Sequence, residues 1–273
     1  MATSDGTGPG SAVLAHDIVD TVDTADTVDA WSPSVLLLHS TVGDRRMWDH
    51  QVATLSSAGL GVISCDLSGY GESPPPTSAY NDAEDVLALL DHLGEESVDI
   101  VAASGGGEVA TELAARWPDR VRKLLLICTA GQGHGPGEEL AAFAEEEDRL
   151  LESGQFDAAV DLNLRTWVQS TVPDEVRDLV ATMQRRAFEV QSSMGDVDEK
   201  EVDENELDPD RISADTLLIS GGRDFVDFRT IAEKLAARIP RARHEHLDWA
   251  GHLPTLERPE EMDAVMLGFL RGG

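Results

Sequence analysis

The chain has 273 residues, which suffices for one large domain or for one domain with an insertion. Its 21 basic and 52 acidic residues give a formal net charge of −31, and we expect such a surface to repel nucleic acid and anionic membranes. The apolar runs are far shorter than the roughly 20 residues of a membrane-spanning helix, and the N-terminus resembles no secretion signal, so we expect a cytoplasmic protein.

The acidic residues are spread along the whole chain, and lysine is rare among the basic residues. At 1 M salt the Debye length falls to about 3 Å, so self-repulsion of such a surface is screened. This pattern favours adaptation to high salt. Where salt does not screen it, the negative charge is expected to disfavour anionic substrates.

Residues 1–30 form an acidic N-terminal segment, and its first ten residues are expected to be disordered. Residues 19–30 repeat Val-Asp-Thr with a period of three, which matches neither a strand nor a helix. The segment is interpreted as an acidic linker or an irregular edge hairpin without a function of its own.

A regular alternation of strands and helices occupies residues 31–130 and 211–273. Apolar runs typical of buried parallel strands lie at 35–38, 61–65, 98–101, 122–129 and 216–220. Helical patterns lie at 47–57, 81–93, 109–117 and 259–270. This order predicts an α/β protein with a mostly parallel, doubly wound sheet, and its two cysteines, Cys65 and Cys128, are predicted to be buried thiols.

Residues 131–210 interrupt this rhythm, because three helical stretches (140–153, 156–168 and 173–194) follow one another without a buried strand. An insertion of this length suggests a helical cap over the C-terminal edge of the sheet, where ligands bind in open α/β folds. The simpler alternative is a helical face that only packs against the core.

A serine between small residues follows the strand at 98–101, in the order Ala102-Ala103-Ser104-Gly105-Gly106. Such a sequence fits a tight strand-to-helix turn that strains the serine backbone and exposes its hydroxyl. Taken alone, the pattern is equally compatible with a glycine-rich turn that has no chemistry.

An acid and a histidine complete a possible catalytic set. Asp224 follows the strand at 216–220, and His252 lies on a glycine-containing loop before the last helix. The order serine, acid, histidine is the one expected of α/β-hydrolases. Asp227 is the alternative acid, but Asp224 lies closer to the end of its strand.

From residue 35 to its end the chain resembles the α/β-hydrolase-fold serine hydrolases. The matching segments are Leu38-His39-Ser40, Asp66-Leu67-Ser68-Gly69-Tyr70-Gly71-Glu72-Ser73, the turn at Ser104, Gly221-Gly222-Arg223-Asp224, Ala250-Gly251-His252 and Leu256-Glu257-Arg258-Pro259. This resemblance implies that Ser104 is the nucleophile, His252 the general base and Asp224 the acid that orients it. It also implies an oxyanion hole formed by the backbone amides of Gly105 and Thr41.

A narrower resemblance covers residues 39–51, His-Ser-Thr-Val-Gly-Asp-Arg-Arg-Met-Trp-Asp-His-Gln. In this run the chain is similar to 3-oxoadipate enol-lactonases and related esterases, which implies ester or lactone substrates. Met47 and Trp48 from this run, with Trp167 from the insertion, are candidates to line the substrate pocket. Packing between the core and the insertion is an equally good explanation for all three.

Two positions depart from the usual family pattern. Ala102 stands where the family usually has glycine, and Ser40 follows His39 where the family usually has glycine. Alanine is the least disruptive replacement at the first position because it adds only one methyl group.

The remaining histidines indicate no metal site. His39 at a strand end is expected to be structural, and His134 in a glycine-rich loop to be solvated or to line the pocket. His244 and His246 alternate on an apparent edge strand and are expected to bind metal weakly at most. The sequence therefore predicts no metal and no cofactor.

The predicted function is hydrolysis of a small carboxylic ester or lactone through an acyl-enzyme. Two alternatives remain open: hydrolysis of a carbon–carbon bond in a vinylogous diketone, and a non-catalytic ligand-binding member of the fold.

Overall fold

The computed structural model describes residues 13–19, 34–131, 133–194, 197–198, 200, 202–203 and 205–272. The Val-Asp-Thr repeat, apart from Val19, lies outside the described residues, and so do residues 1–12. None of the helices in these ranges combines the length and the hydropathy needed to cross a bilayer.

The core of the fold is a seven-stranded sheet with the strand order β1-β3-β2-β4-β5-β6-β7. Its strands are β1 (His16–Val19), β2 (Val35–Leu38), β3 (Val62–Cys65), β4 (Val98–Ala103), β5 (Val121–Ile127), β6 (Asp215–Gly221) and β7 (Ala242–Leu247). Only β1, at one edge, pairs antiparallel, and the other pairings are parallel. The predicted mostly parallel α/β sheet of an α/β-hydrolase is therefore confirmed.

Helices connect the strands and cover both faces of the sheet. They are α1 (Asp49–Ser57), α2 (Asp82–Leu93), α3 (Gly105–Arg116), α4 (Glu138–Glu152), α5 (Phe156–Trp167), α6 (Asp174–Gln191), α7 (Val226–Arg238), α8 (Pro254–Glu257) and α9 (Pro259–Arg271). The predicted helix at 47–57 begins differently, with a 3₁₀ turn at Arg45–Trp48 before α1. The reason is local: the Asp44 carboxylate accepts the Arg46 amide at 3.0 Å and so fixes an earlier start.

The central strands are buried on both faces, which explains their unbroken apolar sequences. Successive side chains alternate between two core clusters: Leu36 and Leu38 pack with α2 and α3, whereas Val35 and Leu37 pack with α1 and α9. Each fully buried leucine stabilises the fold by roughly 1.5–3 kcal/mol relative to an exposed one. The two layers together hold the C-terminal ends of the strands in place.

Helices α4–α6 lie between β5 and β6, with no strand among the described residues of that stretch. They have a small core of their own, which includes Leu150, Val160 and Phe188. Trp167 and Met183 instead belong to the core cluster that contains Leu37. The helical insertion is thus fastened to the same side of the sheet as α1 and α9.

Candidate active site

Ser104 occupies a strained turn between β4 and α3, with φ 50° and ψ −120°. Its amide donates to the Ile127 carbonyl at 3.0 Å, and its carbonyl accepts the amides of Gly107 at 2.9 Å and Ala130 at 3.0 Å. A non-glycine residue in this region of φ costs of order 1–3 kcal/mol and persists only where its surroundings enforce it. Hydrogen bonds on both sides of Ser104 provide that constraint.

The glycines after Ser104 allow a close approach of backbones. A Cβ at Gly106 would lie 2.8 Å from the carbonyl oxygen of Leu38 and closer still to that of His39. A Cβ at Gly105 would lie 2.5 Å from Cγ2 of Thr41. Helix α3 therefore starts in direct contact with the loop after β2, and a side chain at either position would force the two apart.

Ser104, His252 and Asp224 form a continuous hydrogen-bonded series. Nε2 of His252 lies 2.9 Å from Oγ of Ser104, and Nδ1 lies 2.9 Å from Oδ2 of Asp224. The other carboxylate oxygen of Asp224 accepts the Phe225 amide at 2.8 Å. The side chains of His252 and Asp224 are each 2% exposed, so these bonds lie in a region of low dielectric where they are strengthened.

The loops that carry the acid and the histidine are held together backbone to backbone. The Gly222 amide donates to the carbonyl of Leu247 at 2.9 Å, and the Arg223 amide donates to that of Ala250, also at 2.9 Å. A Cβ at Gly221 would lie 2.6 Å from the Ala250 carbonyl oxygen, so glycine is required for this contact. The distance between acid and histidine is thus set by the pairing of β6 with β7.

Glu257 supports the histidine loop, a role that sequence reasoning missed. Its carboxylate accepts the amides of Gly251 at 2.8 Å and Leu253 at 3.4 Å, which flank His252. It also accepts Nε2 of Gln169, just after α5, at 2.6 Å. Burial raises the pKa of Glu257, and these donors offset only part of that effect. The sequence feature that could have indicated this role is the presence of a glutamate five residues after His252.

Two aromatic rings enclose His252. The ring centroid of Trp167 lies 4.4 Å from that of the imidazole, and the centroid of Phe228 lies 4.3 Å away. Trp167 therefore lies against the ring of His252, together with Phe228 on α7, which the sequence analysis did not select. Their packing limits the orientations open to the imidazole and excludes water from it.

Cys128 lies behind the acid, at the end of β5, with a positive φ of 46°. Its thiol is 3.5 Å from the Gly251 carbonyl oxygen, and its pKa is raised by burial and by Asp224. Ligand atoms of Cys128, Asp224 and His252 lie within 4.8 Å of one another, the one such group in the described part of the chain. Since Asp224 and His252 are already hydrogen-bonded to each other, the geometry gives no support for a metal there. Cys65 is also a buried, free thiol.

The loop after β2 places the Thr41 amide beside the Gly105 amide. A Cβ at Gly105 would lie 3.9 Å from the backbone nitrogen of Thr41. Neither amide donates to a protein acceptor among the residues that the structure describes. The Gly105 amide opens α3, where unpaired N–H groups and the helix dipole favour negative charge. The two amides are thus available to an anionic oxygen.

His39 anchors this loop from below. Its Nε2 accepts the Leu67 amide at 2.9 Å, and its Nδ1 lies 2.9 Å from the carbonyl oxygen of Ser40. Burial lowers the pKa of His39, which keeps the ring neutral and able to accept at Nε2. The Ser40 side chain accepts the Val42 amide at 3.2 Å, a contact that the usual glycine could not make.

Met47 and Trp48 lie beneath the same loop rather than beside a substrate space. They are 1% and 0% exposed, and Sδ of Met47 accepts the Ser40 amide at 3.3 Å. Both belong to the core cluster that contains Trp167. The geometry supports the packing interpretation for these two residues and gives no support to direct contact with a substrate.

Two clefts flank the site. One of about 510 Å³ adjoins the two amides, and its lining includes Thr41, Gly105, Tyr70, Gln191 and Met194. The other, of about 540 Å³, adjoins the acid and the histidine, and its lining includes Trp167, Asp224, His252, Arg165, Arg177 and Arg223. The insertion supplies residues to both clefts.

The alternative acid, Asp227, forms hydrogen bonds with His134 and Gly137. It accepts Nε2 of His134 at 2.9 Å and the Gly137 amide at 2.6 Å. Although burial acts to raise it, these two hydrogen bonds lower the pKa of Asp227. Asp227 and His134 therefore tie the beginning of the insertion to α7.

The two histidines of β7 lie on the edge strand, as expected. Nε2 of His244 and Nδ1 of His246 share the Ser220 hydroxyl at 2.7 and 2.9 Å. These contacts occupy one nitrogen of each ring, and the geometry gives no support for a metal site.

The chain is similar in sequence to known α/β-hydrolase-fold proteins. Residues 33–259 match the family described as "alpha/beta hydrolase fold". The chain is 27% identical to the pimeloyl-[acyl-carrier protein] methyl ester esterase of Neisseria meningitidis over 251 residues, covering 88% of this chain and 93% of the relative. It is 29% identical over 255 residues to the dihydrolipoyllysine-residue acetyltransferase component of the acetoin cleaving system of Pseudomonas putida, covering 87% of this chain but only 63% of that longer protein.

Among solved structures, the enol-lactonase from Burkholderia xenovorans LB400 superimposes with a TM-score of 0.73 at 25% sequence identity. The match covers 96% of this chain and 100% of the enol-lactonase chain.

Proposed function

This chain belongs to the α/β-hydrolase fold family and is a hydrolase, and from that premise we propose that it cleaves small carboxylic esters or lactones through an acyl-enzyme on Ser104. The observation that supports this most strongly is the buried series Ser104–His252–Asp224, with both hydrogen bonds at 2.9 Å. The similarity to an enzyme named as a methyl ester esterase and to one named as an enol-lactonase supports the same substrate class.

In the proposed reaction Nε2 of His252 takes the proton of the Ser104 hydroxyl as Oγ attacks the carbonyl carbon. The negative charge that develops on the carbonyl oxygen is stabilised by the amides of Thr41 and Gly105. The Asp224 carboxylate accepts the Nδ1–H and so keeps Nε2 directed at Ser104. His252 then returns the proton to the leaving alkoxide.

Hydrolysis of the acyl-enzyme repeats these roles with water as nucleophile. His252 takes a proton from the water, which attacks the acyl carbonyl, and it gives that proton back to Oγ of Ser104. For a lactone the leaving oxygen stays attached to the acyl group, so one hydroxy acid is the only product. We further propose that α4–α6 act as a cap, since they line both clefts and place Trp167 against His252.

The test is hydrolysis of 4-nitrophenyl hexanoate by matched variants. We expect Ser104→Ala to lose at least about 10⁴-fold in kcat and Asp224→Asn to lose about 10⁴-fold. Asp227→Asn is the matched control, since its carboxylate binds His134 and Gly137, and it should keep kcat if it remains folded by circular dichroism. Labelling of Ser104 by a fluorophosphonate, located by mass spectrometry, checks the nucleophile independently. Unchanged turnover in Ser104→Ala would refute the assignment.

A further inference from the structure

Three arginines converge on the cleft beside Asp224 and His252. Arg165 lies on α5, Arg177 on α6 and Arg223 directly before Asp224, and all three line the same space of about 540 Å³. They are called the arginine cluster below. The chain has a net charge of −31 and only 21 basic residues, so three arginines around one cleft are a local concentration of positive side chains.

The three arginines of the cluster have no carboxylate partner among the described residues. Many arginines of this chain pair with carboxylates, for example those at 45, 46, 116, 149 and 238. Within the described ranges, Arg165, Arg177 and Arg223 form no salt bridge.

The protein contacts of the cluster engage few of its N–H groups. Nη1 of Arg223 donates to the side-chain oxygen of Gln169 at 2.8 Å. Nη1 of Arg177 donates to the carbonyl oxygens of Val168 and Gln169 at 3.3 and 3.4 Å. Each guanidinium has five N–H donors in a planar fork, so most donors of the cluster remain available to a ligand.

The carboxylates near the cluster do not neutralise it. Asp224 is committed to His252 and to the Phe225 amide. Glu139, at the start of α4, lines the cleft but is exposed and forms no salt bridge among the described residues. The cluster therefore presents guanidinium N–H groups that are not paired with a described carboxylate, next to the histidine of the site.

We propose that the arginine cluster binds the carboxylate of an anionic substrate, so that the preferred esters carry a free acid group at a distance from the scissile bond. Paired N–H donors of a guanidinium match the two oxygens of a carboxylate, and such bonds are stronger than neutral ones. The inference rests on the proposed function for its reaction, and it reverses the expectation from net charge that anionic substrates are disfavoured. The overall charge is negative, but the cleft beside the acid and the histidine contains three guanidinium groups that form no salt bridge among the described residues.

The test compares two substrates of equal acyl length at one fixed chloride concentration, because chloride competes for arginine. These are the 4-nitrophenyl monoester of adipic acid, which carries a carboxylate, and neutral 4-nitrophenyl hexanoate. The measured quantity is the ratio of kcat/KM for the anionic ester to that for the neutral ester. We expect a ratio above one in the wild type and a loss of about tenfold in Arg177→Gln and in Arg223→Gln.

Three further variants sharpen this result. Arg223→Lys keeps the charge but not the fork and should fall between wild type and Arg223→Gln. Arg211→Gln is the matched control, because Arg211 is exposed, its side chain donates among the described residues only to the carbonyl oxygens of Asn205 and Glu206, and it lies outside the cleft. It should leave the ratio unchanged. If Arg177→Gln fails to fold, Arg165→Gln takes its place, because the Arg165 side chain forms no hydrogen bond with the part of the chain that the structure describes.

Direct binding separates failure of this proposal from failure of the proposed reaction. Titration calorimetry with adipate dianion should give heat with wild-type protein and a clear loss of affinity with the Arg165→Gln/Arg223→Gln variant, whether or not esters are cleaved. A ratio at or below one in the wild type, or a ratio and an adipate affinity that this double variant does not change, would overturn the assignment of the cluster.

Discussion

Removal of the Glu257 carboxylate should loosen the histidine loop. In Glu257→Ala the amides of Gly251 and Leu253 lose this acceptor, and the side-chain nitrogen of Gln169 keeps only the Trp249 carbonyl oxygen at 3.1 Å. An unpaired buried donor costs about 1–3 kcal/mol. The Leu253 contact is long at 3.4 Å and Gln169 is only half-buried, so we expect the free energy of unfolding to fall by about 2–4 kcal/mol.

The same change should act on turnover through the position of His252. Because the two amides held by Glu257 flank this residue, their release lets the imidazole move away from Oγ of Ser104. A displacement of about 1 Å in a catalytic group costs about 100-fold, so kcat should fall by about 10–100-fold, while KM changes little. Glu257→Gln keeps the shape and one acceptor oxygen and should recover part of both losses.

The assay combines guanidinium unfolding with steady-state hydrolysis of 4-nitrophenyl hexanoate. Glu96→Ala, in the exposed loop before β4, is the matched control for loss of one negative charge. The reasoning is refuted if Glu257→Ala unfolds within about 0.5 kcal/mol of this control and keeps its kcat, because surface substitutions alone stay within that range.

Three further outcomes follow from the same structure. Burial lowers the pKa of His39 in the folded state. The contribution of neutral His39 to stability is therefore complete above its unfolded pKa of about 6.5 and is lost as the pH falls through its folded pKa. The free energy of unfolding should drop toward acid more steeply in wild type than in His39→Gln, and parallel profiles would contradict this. With a net charge of −31, unfolding free energy and activity should rise as KCl is raised toward 1 M, where the Debye length is about 3 Å; maxima in dilute buffer would count against it. Ala102→Gly should lower the free energy of unfolding by up to about 1 kcal/mol, because glycine gives the unfolded chain more conformational freedom, and it should not raise kcat. A gain in either quantity would mean that the methyl group strains the turn.

Periodicity predicted most of the fold because the central strands are apolar on both faces. The runs at Val35–Leu38 and Val62–Cys65 leave no other interpretation once helices separate them. The 3₁₀ turn at Arg45–Trp48 was not predicted, since its start depends on a single side-chain contact of Asp44 with a backbone amide. Apolar spacing carries no information about such a contact.

For the site, the sequence supplied candidate residues, whereas their contacts required the structure. Ser104, Asp224 and His252 follow strand ends, and the carboxyl ends of parallel strands meet at one edge of a sheet. The role of Glu257 depends on local hydrogen bonds to the amides of Gly251 and Leu253, about which apolar spacing carries no information. The convergence of Arg165 with Arg223 joins segments that lie far apart in the chain. Met47 and Trp48 were ambiguous because an aromatic or thioether side chain suits a core as well as a pocket.

The two small positions around Ser104 have different physical demands, although a sequence pattern treats them alike. Ala102 lies in β4, and its methyl group is buried in the core cluster formed with Leu36 and Leu38. Gly106 lies at the start of α3, where a methyl group would collide with the backbone carbonyl of Leu38, which cannot turn away as a side chain could. The second position before Ser104 therefore accepts alanine at little cost, and the second position after it does not. The departure at Ala102 is consequently compatible with an intact strained turn at Ser104.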